Sequence, residues 1–234
     1  MGRAPGAALH RTAMNTALAP IFRKYERLAA ETDAVFRHVA DQYPGCVTCR
    51  QGCSDCCHAV FDLSLVEAMY INSVFQARFP HGRERSQILE RASVSDRRLT
   101  RVKREMFQAE KNGASAGQIM RKASGLRMAC PLLNADNVCL LYDARPVTCR
   151  LYGIPLEIGG ESHVCGFSAF DRGKTYPTVQ LGKIQARLED LSREIASAVK
   201  SRFELHDVYV PLSMALLTSY DDKYLGIGEP DRDD

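Results

Sequence analysis

A chain of 234 residues with 45% hydrophobic and 25% charged residues can bury a core without cross-links and is too apolar to be disordered along most of its length. No apolar run reaches the roughly 18 to 20 residues of a membrane span. The net charge of +3 gives mild affinity for polyanions at most, and it counts every thiol as neutral; thiolates bound to metal would leave the sign of the field open. The start, "MGRAPGAALHRTAMNTALAP", has no continuous apolar stretch before a cleavage site, and position 6 holds Gly where myristoylation wants Ser or Thr, so the sequence predicts a cytoplasmic chain.

Residues 1–14 read as a flexible tail. From Thr16 to about Tyr43 the residues Ile21, Tyr25, Leu28, Val35, Val39 and Tyr43 recur at steps of three, four and seven, which places them on one face of a long helix ended by Pro44-Gly45. Ser64-Leu65-Val66-Glu67 has the spacing of a capping box, with Leu63 and Ala68 as a weak staple, and starts a second helix running to about Phe79 before Pro80. Residues 83–111 are strongly charged with apolar residues at helical spacing, Ile88, Leu89, Leu99, Val102, Met106 and Phe107, and predict one helix or two. A short helix is expected around Gln118 to Leu126. Residues 130–167 change character, with Pro, Asn, Asp and β-branched residues and apolar pieces too short for helices; short strands or irregular loops suit them. Leu181, Ile184, Leu188, Leu191, Ile195 and Val199 then step by three and four as the cleanest helix, and a short one follows Pro211 through Leu217. Residues 227–234 are polar and read as a frayed tail. The expected architecture is mostly α: a helical bundle over residues 15–226, one domain, enclosing an irregular cysteine-rich centre (45–58 and 130–167) with at most short strands.

Nine cysteines in a reducing cytosol are ligands or redox groups rather than a disulfide framework. They form two groups: Cys46, Cys49, Cys53, Cys56 and Cys57, then Cys130, Cys139, Cys149 and Cys165, with 72 residues between Cys57 and Cys130. Two or three intervening residues let successive sulfurs turn onto one centre, the reason such spacings recur in zinc and iron–sulfur sites. Neighbouring Cys56 and Cys57 project differently in most backbone conformations and are expected to serve two centres or two corners of one. A lone cysteine on a helix is more often a small buried hydrophobe than a ligand, and Cys46 fits either description. The other eight sit clustered in turn-rich, non-periodic segments where inert burial explains little.

"CRQGCSDCC" followed by "CPLLNADNVCLLYDARPVTCRLYG" resembles the YkgJ-type cysteine-cluster family, a zinc- or iron-chelating domain with a CxxxCxxCC motif. The resemblance covers roughly residues 45–167, includes the "LSLVEA" segment and the Tyr142, Arg145-Pro146, Cys149-Arg150 run, and implies a metal held by Cys49, Cys53, Cys56, Cys57, Cys130, Cys139, Cys149 and Cys165. The wider family includes a flagellin lysine methylase, which makes a metal-dependent enzyme acting on protein side chains one alternative and electron transfer another. Soft thiolate ligands suit zinc and iron–sulfur clusters alike. The Cys49, Cys53, Cys56 spacing is that of a radical-enzyme [4Fe–4S] loop and Cys130-Pro131 echoes ferredoxin motifs, which favours iron; the alternating strands and helices of a radical-enzyme barrel are missing.

His58 and His163 adjoin cysteines and read as solvated loop histidines or as ligands and donors to them. Arg145 could donate to thiolates or form a structural salt bridge. Arg97 to Arg104 is a basic run, but Glu90, Asp96, Glu105 and Glu110 surround it, so it predicts a solvated face in preference to a nucleic-acid surface. No phosphate loop, dinucleotide fingerprint or nucleophile elbow is present. A protein partner is left open.

Overall fold

A computed structural model describes residues 5–50, 52–115, 117–119, 125–171 and 173–228, with side chains from Thr16 onward in the first helix. The architecture is mostly α with short strands, as the sequence predicts. Helix α1 spans Pro5–Gln42. It starts at Pro5 rather than Thr16, so residues 5–14, expected as tail, have helical backbone; Pro at a helix start supplies a preset φ, and the alanines that follow favour helix. Residues 1–4 and 229–234, and most of the helix expected around 118–126, lie outside the described residues. Leu18, Ile21, Tyr25, Leu28, Thr32 and Val39 form the buried face of α1, whereas Val35 is 40% exposed. The face is centred between Leu28 and Thr32, and Val35 falls on its edge.

Strand β1, Asp62–Ser64, leads directly into α2, Leu65–Arg78. The expected capping box is present: Glu67 Oε2 accepts from the Ser64 amide at 3.2 Å and its hydroxyl at 2.9 Å. Leu63 and Ala68, the expected staple pair, are both buried in one apolar cluster. α2 is buried on several faces, through Leu65, Val66, Ala68, Met69, Ile71, Asn72 and Phe75, because it lies between the two hydrophobic clusters. Residues 83–111 form one helix, α3, Arg83–Lys111, with a narrow buried stripe of Ile88, Ala92, Ser95 and Leu99; its outer end departs from the core, leaving Phe107 52% exposed.

The segment after Ala129 is a hairpin-like turn. The Asn134 side-chain carbonyl accepts from the amides of Asp136 at 3.0 Å and Val138 at 2.8 Å, and Leu140 N–H reaches Leu132 O at 2.9 Å. Asparagine is suited to this because its side chain mimics a backbone turn. Beyond it, Pro146 starts α4, Val147–Leu151, a helical turn where only strands or loops were expected; proline's fixed φ favours a helix start, and the Glu67 Oε1 carboxylate accepts from the Val147 amide at 3.0 Å. Strands β2, Leu156–Ile158, β3, Glu161–His163, and β4, Val179–Gln180, make a small mixed sheet. Helix α5, Leu181–Ala198, buries Leu181, Leu188, Leu191, Ser192 and Ile195 with Ile184 packed beside them, the stripe legible in the sequence. Strand β5, Tyr209–Pro211, pairs antiparallel with β1, and α6, Leu212–Leu217, and α7, Asp222–Leu225, follow. Among the described residues no helix is long and apolar enough to cross a membrane.

One cluster joins α1, α2, α4 and α5; the other joins α2, α3, α6 and residues 132–144; Tyr70, Val208 and Tyr220 touch both. α4 is fastened to α1 by charge. Arg150, 7% exposed, donates to Asp33 Oδ2 and to the carbonyls of Asp143 and Arg145, and Arg145 reaches Asp33 Oδ1 at 3.0 Å while stacking over the Tyr142 ring at 4.0 Å. Arg145 is thus in a structural salt bridge. Asp33→Ala leaves a buried guanidinium without its carboxylate, an arrangement that costs about 3 kcal/mol; denaturant unfolding of the metal-free protein should read a loss of that size, and an unchanged midpoint would contradict the clamp.

Candidate metal centre

The two cysteine groups meet through backbone. Cys130 N–H donates to Cys57 O at 2.7 Å and Met128 N–H to His58 O at 2.9 Å, while Ala59 and Arg127 form an antiparallel bridge. Cys56 and Cys57 lie on a 3-10 turn, Asp55–His58. Leu133 and Cys139 form a second bridge across the Asn134 turn, which brings Cys139 back beside Cys130. α4 delivers Cys149 from the third side. The consequence is a cavity of about 70 Å³ lined by Cys56, Cys57, Cys130, Cys139 and Cys149 and otherwise mostly by apolar side chains such as Phe61, Leu99 and Leu132.

Cys49, Cys53 and Cys165 stand outside that cavity, with Cys49 and Cys53 exposed. The Cys49 thiol donates to Tyr152 O at 3.6 Å, and Cys165 donates to Asp55 Oδ2 at 3.4 Å while its sulfur accepts from the Phe167 amide at 3.5 Å. Gly153 makes room here: its φ is +107°, and a Cβ on it would lie 2.5 Å from the Cys49 sulfur. Gly153→Ala is expected to destabilise the protein by about 1 to 2 kcal/mol through the left-handed backbone alone and to displace the Cys49 thiol; wild-type unfolding together with wild-type metal affinity would rule the close approach out.

Burial is the main force on most of these thiols. It pushes Cys130 up to about 12, with Cys139 and Cys56 adding to it, and Cys49 up to about 11, with Cys53 adding. Cys139, Cys149 and Cys165 are raised for the same reason. Cys56 is the exception: its interaction with the adjacent Cys57 thiol lowers Cys56 and raises Cys57. Both residues of the adjacent pair lie on the 3-10 turn and line the same cavity.

Cys46 packs against the cluster of α1 and α5 as a small hydrophobe. His58 keeps its Nδ1 against Ser54 O at 3.0 Å, and His163 is exposed on β3, opposite Leu156; neither lines the cavity. Sequence reasoning missed Asp55, Arg127 and Tyr152, which bond one another beside Cys165. Their only signal is that each lies within three residues of a cysteine.

Among the described residues no three His, Cys, Asp or Glu side chains are closed into a ready metal-binding group. The donor set nonetheless fits a thiophilic metal, since five cysteines line one mostly apolar cavity and Gly153 leaves open the place of a side chain beside a sixth sulfur. A family model described as "Putative zinc- or iron-chelating domain" matches residues 48–166. No curated protein and no solved structure matches the chain.

Proposed function

Because the chain belongs to the CxxCxxCC family of zinc- or iron-chelating domains, we propose that its thiols hold iron as an iron–sulfur cluster, with Cys57, Cys130, Cys139 and Cys149 as the enclosed ligands. Cys56 lines the same cavity, and Cys49, Cys53 and Cys165, outside it, supply an outer set. The observation that carries this reading is one cavity lined by five cysteines from segments 72 residues apart in the chain. Its volume of about 70 Å³ is several times the roughly 10 to 15 Å³ that one water needs, so it suits a multi-atom centre better than one ion. Zinc is the second reading, favoured by the sufficiency of eight thiolates for two tetrahedral ions.

Bound metal would supply strong metal–thiolate bonds and, as an iron–sulfur cluster, a one-electron couple. The chain does the rest. The Asn134 turn sets Cys139 against Cys130, Glu67 and the Arg150–Asp33 clamp fix the helix bearing Cys149, and apolar walls limit water at the enclosed sulfurs. Exposed Cys49 and Cys53 give the centre an edge towards solvent, the property an electron-transfer partner would use. Free thiols at this density also call for a reducing compartment, which supports a cytoplasmic location.

Anaerobic purification with metal and sulfide analysis and a visible spectrum separates the readings. Iron with sulfide and broad visible absorbance is expected. A colourless protein carrying about two zinc ions would reject iron and keep the ligand assignments; a protein that takes up no stoichiometric metal would reject chelation.

A further inference from the structure

Asp55 lies between Cys53 and Cys56, and its side chain is 9% exposed. Three donors from three other segments converge on its carboxylate. Arg127, three residues before Cys130, forms a salt bridge to Oδ1 and also donates to the Asp55 carbonyl at 3.2 Å. Tyr152, three residues after Cys149, donates its hydroxyl to Oδ2 at 3.0 Å, and Cys165 donates its thiol to the same oxygen at 3.4 Å. One carboxylate thus touches every cysteine-bearing stretch outside the Asn134 turn. Each of these bonds joins groups of the chain itself. Around it, the Cys165 loop is held by further bonds within the chain: Ala169 N–H to Cys46 O at 2.8 Å, Thr48 Oγ1 to Phe167 O at 2.8 Å, and Ser168 Oγ to Cys165 O at 2.6 Å.

We propose that Asp55 is a positioning residue that assembles the thiol-bearing segments before metal arrives, and is not itself a ligand. The inference rests on the chelating role proposed above for what the assembly serves, but the assembly itself is built from bonds between the chain's own groups. A carboxylate is chemically suited to this, because hydrogen bonds to an ionised acceptor are about twice as strong as neutral ones, and preassembly cuts the ordering cost that metal binding would otherwise meet. With Arg127 on one oxygen and Tyr152 on the other, both carboxylate oxygens stay engaged by the chain even after Cys165 gives up its thiol proton to a metal.

The test is Asp55→Asn in the full chain, which keeps shape and removes charge. In the reduced, chelated protein, amide hydrogen exchange at Met128, Cys130, Ser168 and Ala169 should quicken about tenfold, with the α5 amides unchanged. Zinc uptake should slow by a similar factor while final stoichiometry and the spectrum of the cobalt-substituted protein stay as in wild type. Tyr152→Phe, which removes one arm only, should quicken exchange nearest Tyr152 and leave Met128 near its wild-type rate, and it keeps the idea testable if Asp55→Asn fails to fold. Unchanged exchange in both variants would overturn preassembly. A lost metal equivalent or a shifted cobalt spectrum in Asp55→Asn would overturn it by making Asp55 a ligand. If the wild type bound no metal, the exchange results would still stand or fall by themselves, so failure of the chelating role and failure of the assembly are distinguishable.

Discussion

Cys149→Ser is expected to remove the enclosed metal and to leave the apoprotein folded. Cys149 is carried by the short α4, whose start is bonded to Glu67 and whose Arg150 is clamped to Asp33, so its sulfur is presented to the cavity by packing rather than by the metal. Serine keeps the shape but is a harder, far less acidic donor, so a thiophilic metal loses a ligand that the rigid helix end cannot replace from elsewhere. The apoprotein would lose only the roughly 1 to 3 kcal/mol of a buried hydroxyl without a full set of partners. Metal content should fall by the whole enclosed centre. Cys46→Ser, which alters a thiol packed against the α1–α5 cluster, should retain wild-type metal. Equal metal content in both variants would reject the division between Cys46 and the cavity thiols.

Withdrawal of metal is the second large effect, and its pH dependence has a definite sign. Cys49 and Cys130 are raised to about 11 and about 12 by burial, and Cys139, Cys149 and Cys165 are raised as well, so near neutral pH these thiols keep their protons until metal displaces them. Each ligated thiol then releases a proton, and apparent affinity gains about tenfold per pH unit for each proton released. The metal-free fold runs the other way. A thiol whose folded pKa is raised contributes stability that is fully present below the unfolded value of about 8.5 and is lost as pH rises through the folded value. Between about pH 6 and pH 8, below the unfolded thiol value, these thiols leave apo stability level while metal-bound protein gains with pH through proton release, so the two thermal stabilities should diverge. Parallel curves over that range would show that metal binding releases no thiol protons, against thiolate ligation.

Much of the fold was legible because one-dimensional spacing fixed it. The capping box at Ser64 and Glu67 was readable from four residues, and the α5 stripe from a period of three and four. What could not be read was the use made of the other Glu67 oxygen: its bond to the Val147 amide joins positions 80 residues apart, and no local pattern encodes it. Val35 misled because a residue at the edge of a helical face follows the same spacing as one at its centre. The helix at Val147 was missed since a five-residue turn is too short to show a period.

The candidate centre divides in the same manner. Clustered cysteines declared themselves as a set, and the Asn134 turn residues were visible as turn formers. How the set splits between the cavity and Asp55 was hidden, because it depends on the approach of α4 and of the Cys165 loop, both placed by long-range bonds to α1, α2 and Cys46. Asp55, Arg127 and Tyr152 carry no motif, and single polar residues in loops reveal a partner only once the chain is folded.

X-ray absorption at the metal edge of the purified, reduced protein tests the central claim most directly, since it counts ligand atoms without regard to which metal is bound. Thiolate chelation predicts a first shell dominated by sulfur at about 2.3 Å. A first shell of nitrogen and oxygen near 2.0 Å, with no sulfur contribution, would contradict it and leave the clustered cysteines without the role assigned to them.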